Sequence, residues 1–200
     1  MTRLHFLRTL LLLSLFAWMG GVRAQGFDLD ALMQALAQAR SGEATFTEER
    51  EVRQLGQTLR SSGRLRFAAP DTFVRETDSP RRERLAVVGN ELTMTQGGRT
   101  RTVLLDSLPE AAIVVEAIRG TLTGNRATLE RYFAAQLQGR MEAWQLELVP
   151  RDPQLRRQVE RLRLAGRRGE VREVRIALAD GDSSMMWIQP LAGAPPGAPR

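Results

Sequence analysis

The sequence contains no cysteine in its 200 residues, and its one histidine is His5. Without cysteine, the fold rests on packing and strand pairing rather than on disulfide bonds, and no thiol is present to carry the acyl chains of a bacterial lipoprotein. A serine hydrolase needs a histidine base, and none follows the N-terminal leader described below. These absences favour a protein that binds something over one that carries out covalent chemistry.

Lysine is also absent, so all the basic side chains except His5 are arginines, and aromatic residues make up 6% of the chain. The formal net charge is +6, and three of these arginines lie in the leader. The arginine pairs Arg81-Arg82, Arg156-Arg157 and Arg167-Arg168 are scattered along the chain instead of forming one block. A mild excess of positive charge that is dispersed along the chain, together with few aromatic residues, predicts a solvated surface and no nucleic-acid partner.

The first 24 residues have the composition of a secretory leader. Arg3 and Arg8 precede an apolar stretch from Leu10 to Met19, and Val22-Arg23-Ala24 is a small-x-small cleavage site. We therefore expect a signal peptide over 1–24, a single domain over 25–190 and a location in the periplasm. The last ten residues, 191–200, are rich in glycine, alanine and proline, and we expect a disordered tail there.

The spacing of apolar residues changes near residue 42. Between 27 and 40 they keep the three-and-four spacing of an amphipathic helix, with Asp28 placed to cap its start. From Leu59 to Phe67, apolar or small residues instead alternate with mostly arginine neighbours. That period of two is typical of a strand with one covered face and one solvated face.

Further short strands follow in meander order, with strong hairpin signals at Gly89-Asn90 and Gly97-Gly98. The alternation is lost between Asp106 and Gln138, where helices are predicted over 109–118 and from residue 127, the second carrying Leu129 and Phe133. A short helix is predicted over 154–159. Strands are predicted at 45–52, 59–67, 72–77, 84–88, 91–96, 99–105, 144–149, 162–165, 171–178 and 183–189.

Two features raise the question of catalysis or metal binding. Asp180-Gly181-Asp182 is best interpreted as a hairpin turn, because the ligand spacing of a calcium loop is absent and Ser183 has no histidine base. Glu48, Glu49 and Glu51 alternate with arginines, as on a wet strand face. A carboxylate pair for glycoside cleavage remains an alternative, but no pair stands out. We expect a non-enzymatic protein with no catalytic residue, metal site or cofactor.

These elements predict a mainly β fold with helices, of the α+β class. One antiparallel sheet of about nine or more strands carries helical pieces that interrupt it, and a sheet of that size curls. The inner side of a curled sheet must be filled by its own helices, its own side chains or an apolar ligand. Function depends on which of these fills it.

From residue 29 to residue 190 the order of signals resembles the outer-membrane lipoprotein carrier proteins, the LolA family. The markers are Phe46, the run Gly63-Arg64-Leu65-Arg66-Phe67 followed by Pro70 and Phe73, Pro80, Val88-Gly89-Asn90-Glu91-Leu92, Leu122-Thr123-Gly124-Asn125, and Trp144-Gln145-Leu146-Glu147-Leu148-Val149-Pro150. The resemblance implies a half-open antiparallel β-barrel closed by a helical lid.

The resemblance also implies a function. Such proteins carry the acyl chains of lipoproteins or lipids across the periplasm toward the outer membrane, in a hydrophobic cavity and without a cofactor. Expected partners are those acyl chains, an inner-membrane releasing transporter and an outer-membrane acceptor, with the carrier a monomer. The alternatives are an interaction or sensing module on the same fold, and an accessory protein for export of a glycolipid or another lipid.

Known carriers have an arginine, tied to lid closure, directly before the motif's proline, whereas here Ala69 precedes Pro70. Arg75 takes the place of a usual aromatic residue and is the candidate for a polar contact with the lid. Ordinary core packing is the alternative role for each apolar strand position. The residues predicted to line the hydrophobic cavity are Phe46, Leu65, Phe67, Phe73, Leu85, Val87, Met94, Trp144, Leu146, Met186 and Ile188.

Overall fold

The computed structural model describes residues 27–191. The predicted signal peptide, and the predicted tail beyond residue 191, lie outside the described residues. Within 27–191 the chain forms one antiparallel sheet of eleven strands together with four α-helices. None of these helices is both long enough and apolar enough to cross a membrane.

Helices and strands alternate little along the chain. The strands follow one another in two meanders, and most of the helical residues lie between these two meanders. The helices are α1 (Leu29–Leu36), α2 (Pro109–Leu122), α3 (Arg126–Tyr132) and α4 (Pro153–Arg156), and 3₁₀ turns lie at Arg53–Leu55 and Leu105–Ser107. The strands are β1 (Ser41–Val52), β2 (Gln57–Ala68), β3 (Thr72–Ser79), β4 (Glu83–Val88), β5 (Glu91–Gln96), β6 (Arg99–Leu104), β7 (Phe133–Arg140), β8 (Ala143–Pro150), β9 (Val159–Arg167), β10 (Glu170–Leu178) and β11 (Ser183–Pro190).

The strand order is β6-β5-β4-β3-β2-β1-β11-β10-β9-β8-β7. Strands that are consecutive along the chain make nine of the ten pairings, and the pairing of β1 with β11 joins the two meanders, with Phe46 opposite Ile188. The sheet does not close on itself, since β6 and β7 are left at opposite edges. The predicted α+β class and half-open barrel with helices are confirmed.

Strand β7 differs from the sequence-based expectation, which extended the second helix of the insertion through Phe133. Helix α3 ends at Tyr132, and Phe133 is the first residue of β7. From Phe133 to Leu137, buried or half-buried residues alternate with exposed ones. This period of two was visible in the sequence, but Leu129 and Phe133 are also four apart, which favoured the helix.

The two faces of the sheet have different chemistry. Directly opposed residues of an antiparallel pair lie on the same face, and the helices cover one face, here called the inner face. On the outer face charged side chains pair across neighbouring strands: Arg66 of β2 and Arg84 of β4 both bind the carboxylate of Glu76 in β3, at 2.9 and 2.5 Å. The arginine alternation in the sequence therefore marks the solvated side.

The large core lies on the inner face of strands β7–β11, where helices α1, α2 and α3 fill it. Its apolar residues come from both the helices and the strands. They are Leu32, Met33, Leu36, Ile113, Ala117, Leu129, Phe133, Trp144, Leu146, Leu148, Val159, Leu162, Leu164 and Val174, each at most 9% exposed.

Capping and ion pairs orient the helices over this core. The Asp28 side chain accepts a hydrogen bond from the Ala31 amide at 2.9 Å, as the sequence predicts, and Asn125 caps α3 in the same way. The Arg126 guanidinium donates to Glu130 and, at 2.7 Å, to Asp30 of α1. The carboxylates of Glu130 and, to a lesser extent, Asp30 raise the pKa of Arg126. The bond to Asp30 links α3 to α1.

Two of the glycines that carry the family resemblance, Gly63 and Gly124, occupy positions where a side chain does not fit. A Cβ on Gly63 would lie 1.9 Å from the carbonyl oxygen of Glu76, at the irregularity between β2 and β3. Gly124 has φ = +63°, and a Cβ there would lie 2.2 Å from the carbonyl oxygen of Met33. The first glycine lets β3 approach β2, and the second lets the α2–α3 turn approach α1.

Candidate ligand-binding face

The strand register places all eleven predicted cavity residues and Arg75 on the inner face. Phe46 is opposite both Gly63 and Ile188, Leu65 is opposite Arg75, and Phe67 is opposite Phe73. In the β3–β6 half of the sheet, the same register places Leu85 opposite Met94. In the other half, it connects Met186 of β11 to Leu146 of β8 across β10 and β9. These side chains share a face, and whether they contact a ligand remains a prediction.

Eight of the eleven predicted residues nevertheless divide between two environments, and Phe46, Leu65 and Phe67 belong to neither core. Trp144 and Leu146 belong to the large core, 3% and 0% exposed, and Met186 and Ile188 pack against its edge. The indole Nε1 of Trp144 donates to the Arg168 carbonyl at 2.8 Å, so its polar edge is already satisfied. In this conformation the packing of Trp144 and Leu146 leaves them inside the protein.

The second environment is a small core on the inner face of β3–β6. Phe73, Leu85, Val87 and Met94, four of the predicted residues, lie in it with Leu92, Val103 and Leu105. Its cover is the first half of α2, which contributes only Ala111, Ala112 and Val115. Small side chains on the helix therefore meet larger ones on the sheet.

Between the two cores lies a polar cluster centred on Arg75. Its Nη2 atom donates to Glu48 Oε2 at 2.6 Å and to Ser61 Oγ at 3.1 Å, and Ser61 donates to the same carboxylate oxygen at 3.2 Å. The guanidinium carbon lies 4.7 Å from the centre of the Phe46 ring, in cation–π contact. The hydrogen bonds described for Arg75 therefore go to β1 and β2, and its predicted contact with the lid remains a prediction.

Arg119 is a residue that sequence reasoning missed. It lies in the second half of α2, forms an ion pair with Glu116 one turn earlier, and donates a 2.7 Å hydrogen bond to the Gly89 carbonyl. The Glu-x-x-Arg spacing in α2 was visible in the sequence, but the contact with the β4–β5 turn was not. This bond attaches the helical cover to the sheet.

Two surface depressions flank these elements. One, of about 220 Å³, is lined by polar residues of β1 and β2 together with Ser79 and Trp187. The other, of about 290 Å³, lies between Pro70, Asp71, Arg119 and Thr128. Both are below the usual size of a small-molecule site, about 300–1,000 Å³, and both are largely lined by polar side chains. Neither depression is lined by a residue of the small core.

The Asp180-Gly181-Asp182 turn has a structural role. It joins β10 to β11 as predicted, and the Asp182 carboxylate accepts a hydrogen bond from the Arg53 amide at 3.0 Å while lying 3.6 Å from Arg50. Within residues 27–191 no group of three histidine, cysteine or acidic side chains is placed to hold a metal ion.

Sequence comparison agrees with this architecture. Residues 21–198 match the family described as outer membrane lipoprotein carrier protein LolA-like. The chain belongs to this family. In this LolA-like protein Ala69 precedes Pro70, and Arg119 of α2 lines the same depression as Pro70.

Several solved structures resemble the LolA-like chain. A LolA superfamily protein from Nitrosomonas europaea is 10% identical, with a TM-score of 0.46 over 84% of this chain and 93% of that one. A putative outer membrane lipoprotein-sorting protein domain from Vibrio parahaemolyticus is also 10% identical, with a TM-score of 0.48 over 86% and 94%. The MucA/MucB complex of Pseudomonas aeruginosa is 17% identical, with a TM-score of 0.44 over 84% and 56%. No curated protein matches the sequence.

Proposed function

We propose that this LolA-like protein is a non-enzymatic periplasmic carrier of acyl chains. It takes up the chains of a lipoprotein or another lipid between the small core and α2, and carries them toward the outer membrane. An inner-membrane transporter loads the carrier and an outer-membrane acceptor unloads it. The signal peptide predicted over 1–24 accounts for the location.

The observation that supports this proposal most directly is the mismatch at the small core. Ala111, Ala112 and Val115 bring only five side-chain carbons to the contact, against the larger apolar groups of the sheet. At about 0.8 kcal/mol per buried carbon, the helix side of this contact is worth roughly 4 kcal/mol. An acyl chain that replaces α2 on the small core gains at least as much free energy if it buries more than about five methylenes.

The two cores differ in how readily they can admit a ligand. The large core is closed by several leucines, Met33 and Phe133, and opening it would expose many fully buried side chains. The small core has three buried apolar residues, Val87, Leu92 and Leu105, and its other members are half-buried. We therefore assign the cargo site to the β3–β6 half of the inner face, and the large core to the stability of the scaffold.

The test is binding of a fluorescent fatty-acyl probe to the purified protein, together with native mass spectrometry of protein prepared without detergent. Leu85→Asp places a carboxylate in the small core and is expected to lower probe affinity at least about tenfold. The matched control is Leu104→Asp, because Leu104 is 56% exposed at the end of β6. Circular dichroism and urea unfolding establish that both variants fold.

The outcomes separate carrier from interaction module. Co-purified lipid, and probe binding lost in Leu85→Asp but kept in Leu104→Asp, support the carrier. Wild-type protein that carries no lipid and binds no acyl probe would overturn the proposal and favour the interaction module. Appearance of the full-length protein in the cytoplasmic rather than the periplasmic fraction would also contradict it.

A further inference from the structure

The inner face changes from apolar to cationic at its edge strand. Arg101 of β6 lies directly opposite Met94, and Arg99 lies opposite Gln96, so both arginines share the inner face with the small core. Met94 packs against that core, whereas both arginines are exposed. An apolar surface covered by a helix thus ends, one strand further on, in two guanidinium groups.

A second pair of arginines borders the same end of the sheet. Arg81 and Arg82 lie in the turn that leads into β4, directly before Glu83, and Glu83 is opposite Gln96. Neighbouring strands are about 4.8 Å apart, so Arg99 on β6 is about 10 Å from the start of β4 across the sheet. We call Arg81, Arg82, Arg99 and Arg101 the arginine rim.

The arginine rim differs from the arginines of the outer face. Arg66 and Arg84 share the carboxylate of Glu76, whereas no rim arginine forms an ion pair with any residue in 27–191. Along the chain the acids nearest to Arg81 and Arg82 are Asp78 and Glu83, whereas those nearest to Arg99 and Arg101 are Glu91 and Asp106, at the opposite end of β5 and β6. The rim therefore keeps a local positive excess beside the apolar site.

We propose that the arginine rim binds the anionic phosphate headgroup of an amphiphile whose acyl chain lies on the small core. The proposal rests on the proposed carrier function and narrows its cargo to phosphate-bearing, net negative lipids. The planar guanidinium fork matches phosphate oxygens, and an unpaired arginine loses no protein partner when it binds one. A chain running from Leu85 past Met94 toward the edge of the sheet brings its headgroup to Arg101.

The test compares two lipids with the same short acyl chains and different net charge. Titration calorimetry measures monomeric dioctanoyl phosphatidylglycerol and dioctanoyl phosphatidylcholine against wild type, Arg99→Gln/Arg101→Gln and Arg81→Gln/Arg82→Gln. The matched control is Arg156→Gln/Arg157→Gln, which removes the same charge from exposed arginines that form no ion pair within residues 27–191.

Wild type is expected to bind phosphatidylglycerol about tenfold tighter than phosphatidylcholine at low salt, a preference that shrinks as ionic strength rises. Each rim variant is expected to lose most of this preference through weaker phosphatidylglycerol binding, with phosphatidylcholine affinity unchanged. The control variant is expected to keep the wild-type preference.

Each contrary result has a distinct meaning. Failure of wild type to bind either lipid overturns the carrier function itself. Binding of both lipids with a preference that the rim variants retain, or that the control loses equally, overturns the rim alone. Rim variants that self-associate while keeping the preference would assign the β6 arginines to protection of a sheet edge. Loss of cosedimentation with phosphatidylglycerol vesicles, with monomeric lipid preference intact, would make the rim a membrane-docking surface and likewise overturn the proposal.

Discussion

The guanidinium of Arg119 in α2 donates a 2.7 Å hydrogen bond to the carbonyl oxygen of Gly89 in the β4–β5 turn. The two residues are 30 positions apart, and the bond spans from the helical cover to the sheet beneath it. Arg119 is also paired with Glu116 on the same helix, which holds its side chain in place. Ile113 and Ala117 anchor α2 in the large core, whereas α2 contributes few carbons to the small core, so this polar bond is a substantial part of what holds α2 over the β3–β6 half of the sheet.

Arg119→Met is therefore expected to make α2 open more often. A hydrogen bond from a charged donor contributes about 1.5 kcal/mol, so its loss raises the open population about tenfold. Amide hydrogen exchange should accelerate in α2, and the acyl probe should associate faster. The matched control is Arg131→Met, which alters an exposed arginine of α3. Unchanged exchange in α2 with Arg119→Met would show that the bond does not limit opening.

Glu48→Ala is expected to lower the free energy of unfolding by about 2 kcal/mol, because it removes the acceptor of a partly buried arginine. The side chains of Arg75 and Glu48 are 28% and 13% exposed. The adjacent pair of Arg60 and Glu49 has 78% and 42% exposure, so Glu49→Ala is the matched control and should cost less than about 1 kcal/mol. Urea unfolding measures both, and equal losses would contradict a special role for the Arg75 cluster.

Trp144→Ala is expected to destabilise the protein by about 3–5 kcal/mol, because Trp144 fills the large core and its indole donates to the Arg168 carbonyl. Trp187→Ala is the matched control. Trp187 is 39% exposed, and its removal should cost about 1 kcal/mol. Thermal unfolding reports both changes. If Trp144→Ala abolished probe binding without loss of stability, Trp144 would belong to the ligand site rather than to the scaffold.

Most of the strands, and the faces on which their side chains lie, were predictable from the sequence. A period of two needs only the alternation of side chains along one strand, and turns such as Gly97-Gly98 set the neighbouring pairings locally. The eleven predicted residues share one face for this reason. Strand β7 was missed because Phe133 fits the spacing of the preceding helix as well as that of a strand.

The sequence did not predict that the inner face divides into a large core and a small core. Nothing in the spacing of Trp144 and Leu85 indicates that the first belongs to a core filled by three helices and the second to a core covered by the small side chains of one. The contacts of Arg75 with Glu48 and of Arg119 with Gly89 join residues 27 and 30 positions apart. Which side chains meet over such separations depends on how the whole sheet curls and where the helices cross it.

By itself, the sequence determined that this is an arginine-rich, cysteine-free β protein with one apolar and one charged side to its strands, because these properties are carried by composition and by local period. Only the tertiary structure decided that β1 pairs with β11, that the helices fill one half of the inner face and thinly cover the other, and that the unpaired arginines border the thinly covered half. The physical reason is that the burial of apolar surface depends on how segments that are distant in the sequence pack against one another. The sequence of any one segment does not determine that packing.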